Sequence, residues 1–290
     1  MMNSVEHILP CRDKLGEGPV WSVDEQLLYW VDIEGECYHR LDPLSDRHEV
    51  IPVGVPIGVL ALRESGGLVM ATKKGFAFWD EEEKKLTYIA RPFGDNPDLR
   101  FNDGAVDCRG RFWAGTMADG LLSQARGTLY RLDPDGSVHE MIHDIGVSNG
   151  IGWSPDNRIM YFTDSPTYTI VAYDFDAETG SISNRRIFVE TPAEEGDPDG
   201  LCVDTEGYIW SAYWNGFKVV RYDPQGQVDQ VIEMPVPRPT APVFGGQYMD
   251  ELYITSALPV EEQRSDYPLS GDLFRVKVGI KGLAKYKFAG

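Results

Sequence analysis

No apolar run in the 290 residues approaches the roughly 20 that a membrane-spanning helix needs, and the first residues carry no basic segment followed by an apolar one. A soluble, unexported chain with a cytoplasmic location is therefore expected. Cysteine is scarce. Cys11, Cys37, Cys108 and Cys202 form no Cys-x-x-Cys pair, and so few thiols do not make a disulfide scaffold in a chain this long. They are read as reduced. Basic residues are few as well, 27 against 46 acidic, for a formal charge of -19. A surface of that sign repels phosphate backbones and anionic lipid, and no basic patch reverses it. Nucleic acid and membrane are thus excluded as expected partners. The longest charge run, Asp80 to Lys85, is mixed in sign and reads as a solvated turn. No segment holds a helical apolar period, so helices are not expected to build the core.

What the sequence does contain is a repeat. A polar or small residue, a few small or apolar residues, a turn and a new apolar strand recur six times. Glu-Gly-Pro-Val-Trp starts at Glu17, Gly-Val-Leu-Ala-Leu at Gly58, Asn-Asp-Gly-Ala-Val at Asn102, Asn-Gly-Ile-Gly-Trp at Asn149, Asp-Gly-Leu-Cys-Val at Asp199 and Thr-Ala-Pro-Val-Phe at Thr240. Successive starts lie 41, 44, 47, 50 and 41 residues apart, the length of one four-stranded propeller blade. The blade after Asp199 shows the plan: short strands over 200–204, 208–213, 218–222 and 228–233, joined by turns such as Asp223-Pro224-Gln225-Gly226. The chain is expected to be all-β, one six-bladed β-propeller domain over residues 1–290, with four-stranded antiparallel blades around a central channel. Ring closure removes most exposed edges. The segment 5–9 is expected to pair near the end of the chain, with 285–288 as the candidate partner. A closed ring has little need of a second copy, so a monomer is expected.

In a propeller the innermost strands line the channel, so Glu17, Gly58, Asn102, Asn149, Asp199 and Thr240 should converge. Two carboxylates meeting there repel by roughly 4 kcal/mol at 4 Å and an effective dielectric near 20, so a divalent cation between them is the natural balance. The all-oxygen donor set suits calcium, magnesium or manganese, and zinc or ferrous iron is not forbidden. No histidine joins the ring. Hydrogen bonding to channel waters is the alternative.

Three other motifs carry less. His139-Glu140-Met141-Ile142-His143 fits the zinc-protease pattern His-Glu-x-x-His, but it reads as a strand, where residues four apart are about 13 Å apart. Gly146-Val147-Ser148-Asn149-Gly150 fits the nucleophile elbow of serine hydrolases but lacks the helix that should follow. Asp174 to Glu178 begins like a calcium-binding loop and continues as a hairpin turn.

Taken together, Leu15-Gly16-Glu17-Gly18-Pro19-Val20-Trp21, Arg100-Phe101-Asn102-Asp103-Gly104, Gly115-Thr116-Met117, Ser148-Asn149-Gly150 and Pro198-Asp199-Gly200 resemble the signature segments of the regucalcin (senescence marker protein 30), gluconolactonase and sugar-lactonase family. The likeness keeps its order from about Leu15 to Gly290. It implies a six-bladed propeller, a metal ion held by Glu17, Asn149 and Asp199 with calcium as first choice, and substrate contacts from Arg100 and Asn102. The family's acidic substrate contact follows Gly-Thr-Met. Here the chain reads Met117-Ala118-Asp119-Gly120, with glycine where regucalcin has its second glutamate, so Asp119 is the candidate substitute and regucalcin's substrate preference is not carried over. The implied activity is metal-assisted hydrolysis of a sugar lactone, of glucono-, arabino- or xylonolactone type, to its aldonic acid. Asp199 is the expected general base and Asp103 the reserve. A calcium-binding regulatory protein without turnover is the alternative. Substrate choice is expected in the loops 117–126 and 260–269.

Overall fold

Strand formation follows the burial available to each segment. In the computed structural model, which describes residues 4–120 and 124–290, the described residues form six four-stranded antiparallel sheets. The innermost strands, in chain order Gly16–Ser22, Ile57–Leu62, Leu99–Val106, Ser148–Trp153, Asp197–Val203 and Pro239–Gly245, are buried on both faces almost throughout. The outermost strands, such as Val228–Glu233, are mostly exposed. Inner strands of consecutive blades touch one another around the whole circle, the sixth meeting the first. The fold is a six-bladed β-propeller.

Aromatic side chains fill the wedges between blades. Phe76 packs against Phe101 between blades 2 and 3, Trp113 against Trp153 between 3 and 4, Trp210 against Phe244 between 5 and 6, and Trp21 against Tyr253 across the closure. Rings of this size bury 150–250 Å² each and hold edge-on or offset geometries. Blades 3 and 5 carry a further shared device, spelled Asp-x-x-Gly-x-x-Trp. Asp204 is fully buried, and its Oδ1 accepts the N–H groups of Glu206 (2.9 Å) and Tyr208 (3.0 Å). Its Oδ2 accepts the Trp210 indole (3.0 Å) and the Arg221 guanidinium (2.8 Å). Asp107 repeats this pattern with Arg109, Arg111 and Trp113. A buried carboxylate with all its lone pairs used ties the turn to the second strand of the blade.

The closing strand differs from the expectation. Glu6–Leu9 does pair near the end of the chain, but its partner is Leu273–Lys277, with Glu6 opposite Arg275 and His7 opposite Phe274. It completes blade 6. Residues 285–288 instead run across the blade bases. Phe288 bonds through its backbone to Leu62 and Glu64 of blade 2, Ala289 bonds to Gly110 of blade 3, and Lys281 accepts from Thr205 of blade 5. Phe288 is 1% exposed and packs into the core shared by blades 2 and 3, which anchors this strap, while Tyr286 stays exposed.

Replacing Asp204 by alanine leaves the buried Trp210 indole and the N–H groups of Glu206 and Tyr208 without their acceptor, while Arg221 keeps Glu206 and Asp229, and about 3 kcal/mol of stability is expected to be lost, against under about 1 kcal/mol for the exposed partner variant Asp229→Ala. Urea unfolding midpoints of the two variants decide this.

Candidate metal centre in the axial channel

In every one of the six innermost strands the pairing register slips at the first residue of the repeat or beside it: between Glu17 and Val20, Ile57 and Val59, Phe101 and Gly104, Asn149 and Ile151, Pro198 and Leu201, and Pro239 and Pro242. A bulge bends the strand and re-aims a side chain. The expectation for blade 5 began the inner strand after Asp199, whereas the observed strand runs Asp197–Val203 and carries Asp199 on its bulge. Glycine makes the close approach feasible. A Cβ on Gly150 would lie 2.6 Å from the Asp199 carbonyl oxygen, and one on Gly200 would lie 2.4 Å from the Ala241 Cβ. Only glycine at these places lets neighbouring inner strands meet at the axis.

Glu17, Asn102, Asn149 and Asp199 are all buried at 3–5% exposure. The other two ring positions supply nothing free: Gly58 has no side chain, and the Thr240 hydroxyl is bonded to the Gly16 carbonyl and Thr255. A chain of hydrogen bonds sets the amide orientations. Arg100 Nη1 donates to Asn102 Oδ1 (2.7 Å), so Asn102 Nδ2 faces the other way and donates to Asn149 Oδ1 (3.0 Å) and to the Ser148 carbonyl (2.9 Å). Asn149 Nδ2 donates to Ser165 Oγ (2.9 Å), whose own hydrogen goes to the Pro198 carbonyl (2.7 Å). Asn149 Oδ1 therefore keeps one lone pair.

Electrostatics at this place are unfavourable without a cation. Asp199 Oδ1 is buried with no hydrogen-bond partner, a state that costs the full desolvation of a charged oxygen. Burial first, and the charge of Asp103 second, push Glu17 up to about 8. Burial, followed by the charges of Glu17 and Asp103, raises Asp199 well above the carboxylate range. Among the described residues no three His, Cys, Asp or Glu side chains gather at metal-binding spacing. The acidic donors are thus the pair Glu17 and Asp199, and the third oxygen is the free lone pair of Asn149. These three groups fit a hard divalent cation.

Around them stand the other expected residues. Arg100 is partly buried beside Asn102, and its Nε lies 3.9 Å from Asp119 Oδ1. Asp119 is also ion-paired with Lys73. Asp103 bonds its own chain at Gly104 N (2.7 Å) and lines a cavity shared with Lys285 and Tyr286, which Glu17, Asn149 and Asp199 do not line. The reserve base is thus on a different part of the channel wall. Ser148 is 1% exposed, and its Oγ would lie 1.8 Å from a Cβ placed on Gly115. The strand Ser148–Trp153 follows it directly with no helix, so the elbow motif is structural. His139 and His143 sit in the exposed outer strand Val138–Ile145. Of the loop 117–126, residues 121–123 lie outside the described residues; 260–269 contains a short 3-10 turn at Glu261–Gln263. Sequence reasoning missed Ser165 and Lys73. The turn Asp164-Ser165-Pro166-Thr167 was a visible signal for the first, and nothing local marked the second.

Burial and mutual charge favour the protonated forms of Glu17 and Asp199 in the metal-free chain, and a cation bound between them would displace those protons. Apparent calcium affinity is expected to rise with pH up to about 8, by up to about tenfold per unit for each proton displaced. Between the unfolded value of 4.5 and about 8 the folded chain binds the extra proton, so metal-free stability falls as pH rises through that window. Titration calorimetry in two buffers of different ionisation heat measures the release, and a calcium affinity flat from pH 6 to 8 would contradict it.

Comparison with known proteins identifies the family and agrees with the fold. The sequence profile of the SMP-30/Gluconolactonase/LRE-like region matches residues 15–258. The chain is 40% identical to regucalcin of Xenopus laevis over 294 aligned residues, covering 99% of this chain and 98% of that protein. Among solved structures, a luciferin-regenerating enzyme superposes with a TM-score of 0.92 at 31% identity, over 99% of this chain and 100% of that one. The calcium-binding protein regucalcin from Agrobacterium tumefaciens superposes with a TM-score of 0.93 at 27% identity, over 100% and 98%. With the repeat, the bulged ring and the profile in register over nearly its whole length, the chain belongs to the SMP-30/gluconolactonase/LRE-like family.

Proposed function

We propose that the chain is a metal-dependent sugar lactonase that hydrolyses an aldonolactone to its aldonic acid, with calcium as the first-choice ion and magnesium, manganese, zinc or ferrous iron as chemically admissible ones. The observation that carries this reading is the unpartnered Asp199 Oδ1, buried within the influence of Glu17, in a channel that also holds the hydrogen-bonded pair Arg100 and Asn102. Membership of a family named for gluconolactonase supports it. Calcium is put first because the Agrobacterium tumefaciens relative is a calcium-binding protein.

Each residue has a definable task. When bound, a divalent ion supplies Lewis acidity toward a carbonyl oxygen and acidifies an attached water. Glu17, Asp199 and Asn149 hold it. Asp199 Oδ1, which has no hydrogen-bond partner among the described residues, is the candidate to take a proton from the attacking water. Arg100 spends Nη1 on Asn102 and the Phe101 carbonyl, leaving Nη2 to donate to a sugar hydroxyl or to the oxygen that gains charge. Both hydrogens of Asn102 Nδ2 are used, so Asn102 meets a sugar hydroxyl only as an acceptor, through Oδ1. In the net reaction the ring C–O bond is replaced by a C–O bond to water oxygen, the ring oxygen leaves as a hydroxyl, and the acid releases one proton at neutral pH.

That proton is the assay. Alkalimetric titration with glucono-, arabino- and xylonolactone is expected to show turnover that chelator abolishes. Asp199→Asn should lower kcat at least about a hundredfold, while Ser148→Ala keeps most of it. Calcium binding with no turnover on any lactone would favour the calcium-binding regulatory alternative. Loss of activity in Ser148→Ala with indifference to chelator would overturn the metal-based reading in favour of a serine esterase.

A further inference from the structure

The polar chain that orients the Asn149 carboxamide begins at a residue outside the family's signature segments. Lys73 lies at the tip of the second hairpin of blade 2, between the strands Leu68–Thr72 and Gly75–Asp80, and its backbone N–H is tied to the Pro56 carbonyl at 2.9 Å. Its ammonium pairs with Asp119 Oδ2. Asp119 Oδ1 lies 3.9 Å from Arg100 Nε, Arg100 donates to Asn102, and Asn102 donates to Asn149. One continuous line of charged and amide groups therefore joins Lys73 at the channel mouth to a candidate ligand.

Charge along that line does not balance. A dication offsets Glu17 and Asp199, and Lys285 acts favourably on Asp103. Asp119 is then a single carboxylate set between two cations, Lys73 and Arg100, and it neutralises one of them. Glu17 and then Glu34 also act on Arg100, but the charge of Glu17 is already taken up by the dication, and Glu34 is exposed, so solvent and salt weaken its effect. One positive charge is left over. It is reachable, since the Lys73 side chain retains 36% exposure while Arg100 retains 13%. An ammonium has three hydrogens, and Asp119 takes one direction of approach. On a chain of net charge -19, whose overall field repels anions, an uncompensated cation at the mouth acts at the range of a bound substrate rather than as a long-range attractor. The missing second acidic residue at Gly120 removes a competing negative charge from the same rim.

Resting on the lactonase reading above, we propose that Lys73 selects a lactone that carries a carboxylate, of the uronic or aldaric type: its ammonium pairs with the substrate carboxylate at the channel mouth, while Arg100 and Asn102 address the ring. Asp119 holds Lys73 and Arg100 in place and sets how much positive charge the substrate meets. The competing account is a plain rim salt bridge of small worth, in which removing either partner has the same consequence. The two accounts differ in sign for the two partners.

The test compares kcat/KM for glucaro-1,4-lactone, which bears a carboxylate, with that for neutral glucono-1,5-lactone, in the calcium-loaded full chain. Wild type is expected to favour the charged lactone. Lys73→Met should lower the charged-to-neutral ratio about tenfold, mostly through KM, Lys73→Arg should restore it to within about threefold, and Asp119→Asn should raise it. A ratio that both Lys73→Met and Asp119→Asn move in the same direction, or that neither moves, overturns the proposal. Wild-type turnover of the neutral lactone alone overturns the proposal and leaves the lactonase reading standing. If wild type opens neither of these, nor arabino- or xylonolactone, the lactonase reading falls by itself. Calorimetric binding of glucarate to the calcium-loaded chain then decides the role of Lys73: weakening of about tenfold in Lys73→Met supports it, and equal affinity in the two chains ends it.

Discussion

Three carboxylates, Glu17, Asp103 and Asp199, are buried along the axial channel, and their mutual repulsion is the constraint around which the molecule is arranged. Each would find water more comfortable. They are held inside because their strands are the innermost of closed blades, each bulged at the residue concerned, and because glycines next to them let neighbouring strands come within contact. The aromatic wedges between blades make that closure favourable. Burial of rings such as Trp113, Trp210 and Phe244, worth about 25 cal/mol per Å² of apolar surface removed from water, opposes the electrostatic penalty at the centre. A propeller is well suited to this, since a strain shared among six similar interfaces falls heavily on none.

Polar order outside the axis follows the same logic of satisfied partners. Asp107 and Asp204 are as deeply buried as the axial carboxylates, yet every lone pair is used by backbone N–H groups, an indole and an arginine. Burial alone therefore does not mark a functional acid in this fold. The mark is the missing partner, and Asp199 Oδ1 has none.

Much of this was legible in the sequence because propeller blades repeat. The spacing of Glu17, Asn102, Asn149 and Asp199 located the inner strands, and the strand context of His139 and Ser148 disposed of two misleading motifs. Features that depend on distant parts of the chain were not legible. The partner of residues 6–9 is chosen by an edge that only the finished ring presents, so 285–288 was the wrong strand. The bulges that aim the ring residues appear only once pairing is complete. Lys73 sits in an ordinary turn of blade 2, and its meeting with Asp119 of blade 3 is a fact of the packed ring. Ser165 fixes the Asn149 amide from another connection, and no spacing rule foretells which way a carboxamide is turned.

Completion of blade 6 by the strand Glu6–Leu9 has a further consequence for biosynthesis. On the ribosome the strand Glu6–Leu9 is made well before its partner, Leu273–Lys277, at about 5–20 residues per second. Until Leu273–Lys277 has emerged, blade 6 lacks the strand on which Glu6–Leu9 closes the ring, and Glu17 has no finished axis across which to face Asp199. The axial site thus comes into being in the same event that seals the ring.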